Sequence, residues 1–248
     1  MRRQEGISLV EILIGLFLTT LLIAVMMQLY LANKRQYNQV QTLLEQSFEL
    51  HAVMDLIRDS VRKAGFTPCI GLNALETLEG RSNQVRLKAV ELSGDKSQEL
   101  VIKRMSDHFT TVIEAISPAE LLVKPELSLR SQQRLLFADC FHAEVAEVLQ
   151  VQKMGRGVLL KLIRPLSFKY IAPIYLGEWL EEKFFMQKNK QGYPALYYQL
   201  NHAEELTSQV KKMSIALRAN QGKTLVKMSL GLDKEQKLDL ETQVRAEG

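Results

Sequence analysis

From Ile12 to Leu31 the chain runs 20 residues without a charged side chain, and Gln28 is its only strongly polar member. As a helix rising about 1.5 Å per residue, such a run spans roughly 30 Å, the thickness of a bilayer's hydrocarbon core. A removable secretory signal predicts a shorter apolar region followed by a small-x-small cleavage site. Here the run ends Gln28-Leu29-Tyr30-Leu31-Ala32-Asn33-Lys34-Arg35, which holds no such site. A buried core helix competes less well, because the run is apolar on every face. A membrane helix is the expectation. Arg2 and Arg3 flank one end and Lys34 and Arg35 the other, so the positive-inside count is nearly tied and leaves orientation open.

The remaining composition is that of a globular protein. With 248 residues, 46% of them hydrophobic, there is material for one or two domains with a real core. Glycine and proline, 13 and 6, are too few for a collagen-like or disordered chain. Two cysteines exclude a disulfide-dense scaffold, and no CxxC or His/Cys cluster suggests structural zinc. The 32 basic residues face 28 acidic ones and form no evident patch or stripe, which argues against a dedicated nucleic-acid binder.

Ahead of the apolar run stand Met1-Arg2-Arg3-Gln4-Glu5-Gly6 and then Ile7-Ser8-Leu9-Val10-Glu11. A carboxylate at a membrane centre costs roughly 3 kcal/mol on insertion scales, and less toward the end of a span. Glu11 therefore reads either as a tolerated interfacial acid or as a functional one. A short basic leader, a glycine, an apolar residue and a glutamate five positions after that glycine resemble the class III signal of type IV prepilins and type II secretion pseudopilins. The resemblance implies that a membrane peptidase cuts after Gly6 and methylates Ile7 as the new N-terminus. It implies also that Glu11 serves subunit assembly. Ile7 stands where that family prefers Phe or Met, and the span carries Gly15 but no proline before Pro68.

Asn33 to Lys63 lacks Gly and Pro and is rich in good helix formers. Val40, Leu43, Leu50, Met54, Ile57, Val61 and Ala64 recur at three- and four-residue steps, with Ser47 in register, and form an amphipathic stripe. The opposite face carries Gln39, Gln46, Glu49, Asp59 and Arg62. Its length, about three heptads, is short for a coiled coil, so the downstream domain is the expected partner surface. Gly65 and then Pro68 predict the stop. Beyond it come short β-like runs at Val85–Val90, Leu100–Met105, Thr111–Ile116, Arg134–Ala138, Val145–Val151, Val158–Ile163 and Ala195–Leu200. Met213–Arg218 and Thr224–Leu232 flank Asn220-Gln221-Gly222-Lys223 as a hairpin, Leu238–Val244 closes the sheet, and Glu204–Val210 reads as a short helix. The expected fold is α+β: a leader at 1–6, a transmembrane helix at 7–31, an amphipathic helix at 32–65 packing on the head, and an antiparallel β-rich head at 66–248.

Three further segments sharpen the resemblance. Arg62-Lys63-Ala64-Gly65-Phe66-Thr67-Pro68-Cys69 is similar to the helix end of the PilW-type minor pilins, and Leu136-Phe137-Ala138-Asp139-Cys140 to their second cysteine motif. Lys183-Phe184-Phe185 to Leu196-Tyr197-Tyr198, followed by Glu205-Leu206 and Val210, resembles their later strand pair. An exported head lies in a compartment that oxidises thiols, so Cys69 and Cys140 are expected to be bonded; two unrelated buried cysteines are the alternative. The family implies a single-pass inner-membrane protein with a periplasmic head that later joins the pilus, at its tip or elsewhere. Its partners would be the prepilin peptidase, the major and other minor pilins, the assembly platform and inner-membrane lipid. A J-type pseudopilin of type II secretion is the nearest alternative, and a signal-anchored periplasmic binding protein or enzyme the alternative from another class.

Nothing in the chain asks for a catalytic reading or a cofactor. His51, His108, His142 and His202 are scattered, without metal-ligand spacing. Gly222-Lys223-Thr224 echoes the end of a phosphate loop, but Leu217 stands where the first glycine must be, and a hairpin turn explains it. No Gly-x-Ser-x-Gly elbow appears. Trp179, Phe184, Phe185, Tyr193, Tyr197 and Tyr198 with Lys183, Lys188 and Lys190 mix rings and cations. They read better as alternating strand residues than as a DNA-stacking surface.

Overall fold

The structure is a computed structural model that describes residues 9–79, 86–94, 99–220, 223–232 and 236–244. It divides into two compact units, Met1–His51 and Ala52–Gly248. Helix α1, Leu9–Lys63, runs 55 residues, as a stretch without proline and with Gly15 as its only glycine allows. Thr19 and Thr20 do not interrupt it, because their hydroxyls donate back to the carbonyls of Leu16 and Phe17 at 2.9 and 2.8 Å.

The second unit holds the end of α1, a 3₁₀ turn at Leu72–Ala74 and a series of strands. In chain order these are β1 (Glu76–Glu79), β2 (Val90–Ser93), β3 (Glu99–Ser117), β4 (Glu120–Val123), β5 (Arg134–Ala138), β6 (His142–Met154) and β7 (Gly157–Leu162). They continue as β8 (Tyr175–Lys188), β9 (Pro194–Gln199), β10 (Ala203–Thr207), β11 (Lys212–Asn220), β12 (Lys223–Gly231) and β13 (Lys237–Gln243). The large sheet closes on itself: β3 pairs β4, then β7, β6, β5 and β8 follow, and β8 pairs β3 again, each pair antiparallel. β2 adds to β3, β9 and β10 extend from β8, and β1 lies parallel along the start of β6. β11, β12 and β13 form a separate antiparallel sheet.

Two core clusters explain the apolar run Leu135-Leu136-Phe137-Ala138. Leu135 and Phe137 face Leu121, Val123, Val158, Leu160 and Leu176, the inward side of the ring. Leu136 and Ala138 face Leu72, Leu75, Leu87, Met105 and Trp179 on the other. A strand covered on both faces has no reason to alternate, and β5 does not.

Most expected strands are present, with three differences. Leu100–Met105 and Thr111–Ile116 are parts of one strand, β3, bent by a bulge between Met105 and Phe109 rather than broken by a turn. Strand pairing near Val85–Val90 begins only at Val90 and runs to Ser93, while Val85 lies outside the described residues. The helix expected at Glu204–Val210 is instead β10, with Ala203, Glu204 and Glu205 opposite Gln199, Tyr198 and Tyr197. An available sheet edge overrides a weak helical propensity. The hairpin of β11 and β12 has the expected register, Asn220 opposite Lys223, its two turn residues lying outside the described residues.

Candidate assembly surface

Among its described residues the first unit offers a helix and nothing that covers it. Apolar side chains from Leu9 to Leu31 are exposed throughout, and α1 is, among the described residues, the one helix long and apolar enough to cross a membrane. Glu11 sits in its first turn and is exposed. Gly6 and Ile7, between which the resemblance expects a cut, lie outside the described residues. Apolar exposure does not end with the span: Tyr37, Val40, Leu43, Leu44 and Phe48 are also exposed. At about 100° per residue, Tyr37, Leu44 and Phe48 fall within roughly 40° of one another, an unpartnered aromatic and aliphatic stripe. The sequence reading singled out Val40 and Leu43 as packing residues and passed over Tyr37, Leu44 and Phe48, although their i, i+7, i+11 spacing was visible. Burial within the second unit begins at Val53 and continues through Ile57, Val61 and Ala64.

The end of α1 is seated on β3 and β8 by a polar network. Across those strands Leu100, Ile102 and Arg104 stand opposite Phe184, Glu182 and Leu180, so their side chains share one face. Glu182 is buried there; Ser60 Oγ donates to its Oε2 at 2.5 Å and Arg104 Nε to its Oε1 at 2.8 Å. Arg104 also reaches Asp107 at 3.5 Å, and Lys63 bridges Asp59 and Asp107 at 3.0 and 3.3 Å, hydrogen bonds that raise the Lys63 pKa. Burial and the nearby Glu182 carboxylate push the Tyr198 hydroxyl up to about 12. A buried ion pair of this kind contributes little net stability, but it pairs in only one register.

Gly65 then turns the chain. Its φ is +71°, its N–H donates to Lys103 O at 2.8 Å, and Met105 N–H donates to Phe66 O at 3.0 Å, so the helix stop is hydrogen-bonded to β3. Four residues further on, Cys69 is bonded to Cys140 with Cα atoms 5.3 Å apart, which joins the segment after the helix to the turn between β5 and β6. Asp139 organises that turn. Its carboxylate is buried and accepts the backbone N–H groups of Phe141, His142 and Ile171 at 2.7, 2.6 and 2.8 Å. Burial opposes its ionisation, yet those donors prevail and hold its pKa below the usual carboxylate value.

The other sequence candidates are dispersed. Trp179 and Phe184 are core residues, Phe185 stacks on Tyr197 and Phe184 packs against Tyr198, whereas Tyr193 is exposed at the turn between β8 and β9. Lys183 pairs with Glu99 at 3.5 Å. His51 lies on α1 and His142 beside Asp139 and Phe168, and the four histidines do not converge. An exposed apolar N-terminal helix whose end packs on antiparallel sheet is a pilin-like architecture. No protein-family model, curated protein or solved structure matches this chain.

Proposed function

We propose that the chain is a minor type IV pilin of the PilW type, whose work is association rather than catalysis. The observation that carries this reading is the continuity of one feature. A leader ending in Gly6 runs directly into an apolar helix with its side chains uncovered, and Glu11 is the single acid of that segment up to Leu31. On this reading the helix inserts in the inner membrane, the prepilin peptidase cuts after Gly6 and methylates Ile7, and the β-rich unit stays in the periplasm. Helices of the major pilin and of other minor pilins then replace lipid around the span and cover the stripe of Tyr37, Leu44 and Phe48, so that the subunit primes or caps a fibre on the assembly platform.

The test is an intact mass of the protein extracted from membranes of its native host. The expected mass begins at Ile7 and carries one added methyl group. Retention of Arg2 and Arg3, or a cut beyond Leu31, overturns the reading. Companions that co-purify then separate a pilus subunit from a secretion pseudopilin.

A further inference from the structure

The small sheet carries a feature that the assembly reading does not use. Its inner face is apolar, with Met213, Ile215, Val226, Met228, Leu230 and Leu240 buried. On the outer face Lys212, Gly231 and Lys237 stand opposite one another across β11, β12 and β13. Neighbouring strands lie about 4.8 Å apart, so the two lysines flank, at roughly 10 Å, a central position with no side chain. Ser214, Ser229 and Asp239 make the next row. A cleft of about 440 Å³ opens here, lined by these two lysines and Lys211, with Gly231, Ser214 and Ser229 and with Met186 and Met213. It continues past Leu232 and Gln236.

The charge of the cleft is one-sided. Among the described residues none of the three lysines has a carboxylate partner, and no acid stands among the described residues that line the cleft. Asp239, the nearest acid of the same face, is engaged by the Ser229 hydroxyl. Lys211 is held in place by Ser208 O at 2.8 Å and by the Tyr193 ring at 5.9 Å. Asp233 and Glu235, which follow β12 in the sequence, lie outside the described residues. Lysines act as adaptable point charges for a compact oxyanion, and a floor of glycine and serine lets that anion approach the backbone.

We propose that this cleft binds a phosphate group of a larger ligand, Lys212 and Lys237 clamping it over Gly231 and Lys211 meeting a second charge. The experiment uses the full chain in zwitterionic micelles and isothermal titration with four probes: inorganic pyrophosphate, glycerol phosphate, a short thymidine oligonucleotide and oligoglutamate. At least one of the two small phosphate probes saturates, with an affinity that falls as salt rises. Lys212→Ala combined with Lys237→Ala weakens it by roughly tenfold or more, because both charged contacts to the anion are lost. Lys153→Ala, the same loss of charge at an exposed position on β6, leaves it unchanged.

A second variant separates a built slot from general attraction. Gly231 adopts ordinary extended backbone, and the atoms nearest to a Cβ there belong to Lys212, its Cβ at 3.4 Å. Gly231→Val therefore keeps the fold and every charge while filling the slot, and it abolishes binding with the melting temperature held. Saturation by pyrophosphate or glycerol phosphate upholds the proposal, the second assigning a lipid-type headgroup, whereas saturation by the oligonucleotide alone makes the cleft a nucleic-acid groove and overturns it. Oligoglutamate binding as tightly as the phosphate probes, Gly231→Val binding normally, or no saturation by any phosphate probe overturns it.

Discussion

At the residue scale the second unit depends on buried acids with assigned work. Glu182 takes a hydroxyl from the helix and a guanidinium from β3. Glu144 takes both the backbone N–H and the hydroxyl of Ser167, at 2.7 and 2.9 Å. Asp139 does most, since its three backbone donors come from two separate segments and it precedes Cys140 directly. Asp139→Ala would leave those N–H groups without their acceptor and is expected to cost about 3 kcal/mol at neutral pH. The pH dependence follows from the direction of its shift. Its folded pKa lies below the ordinary value near ~3.9, so the stabilisation is complete above that value and is lost as the pH falls through the depressed one. Urea unfolding of both proteins at pH 7 and at successively lower pH should therefore show the gap narrowing on the acid side. A gap that stays constant would assign the loss to packing instead of to the charge.

At the element scale, the helix stop shows how local signals and distant contacts combine. Gly65 adopts left-handed backbone, and a Cβ on it would lie 2.6 Å from Ala89 Cβ, a side chain with no rotamer to yield. Gly65→Ala should cost about 3 kcal/mol, part from the backbone and part from the overlap, read as a lower denaturant midpoint at unchanged slope. A loss under about 1 kcal/mol would mean that the turn relaxes freely. The stop itself was legible, because Gly followed by Pro ends an apolar period in any context. So were the hairpin of β11 and β12, signalled by Asn220-Gln221-Gly222-Lys223 between two apolar runs, and the β character of Arg134–Ala138. Closure of β3 onto β8 was not, since it joins residues 64 to 86 positions apart and no local pattern encodes it. β10 was misread as a helix for the same reason: its partner, not its composition, makes it a strand. β1 and β4 are four residues each and carry too little pattern to be seen. Of the candidate surface, the apolar span and the cysteine pair were legible. Ser60, Arg104 and Glu182 were not, because a buried ion pair looks like any other charge until the fold brings its members together.

At the scale of the whole molecule the question is what covers the helix, and Glu11 is the residue that distinguishes the answers. Lipid covers Leu9 to Leu31 better without an acid than with one, so a membrane anchor has no use for a carboxylate there. Cleavage after Gly6 would leave a positively charged amine on Ile7, and a residue four positions on lies on the same helix face. Two charges that are costly alone in lipid become tolerable together, within one subunit or between the glutamate of one and the amine of the next. Pairing between subunits admits a single stagger, whereas apolar packing alone tolerates many. On the proposed reading, Glu11→Val is therefore expected to insert and to be cleaved at near wild-type levels, and to be depleted from minor-pilin complexes and from sheared fibres. The measurement compares mutant and wild type in three fractions: membranes, processed protein and sheared pili. Wild-type recovery in complexes and pili would reduce Glu11 to an interfacial acid that lipid headgroups accommodate. Loss of cleavage would move its role to the peptidase. Depletion confined to the fibre fraction is the outcome that assembly by a fixed stagger requires, because insertion needs only the apolar span, and that span the substitution extends.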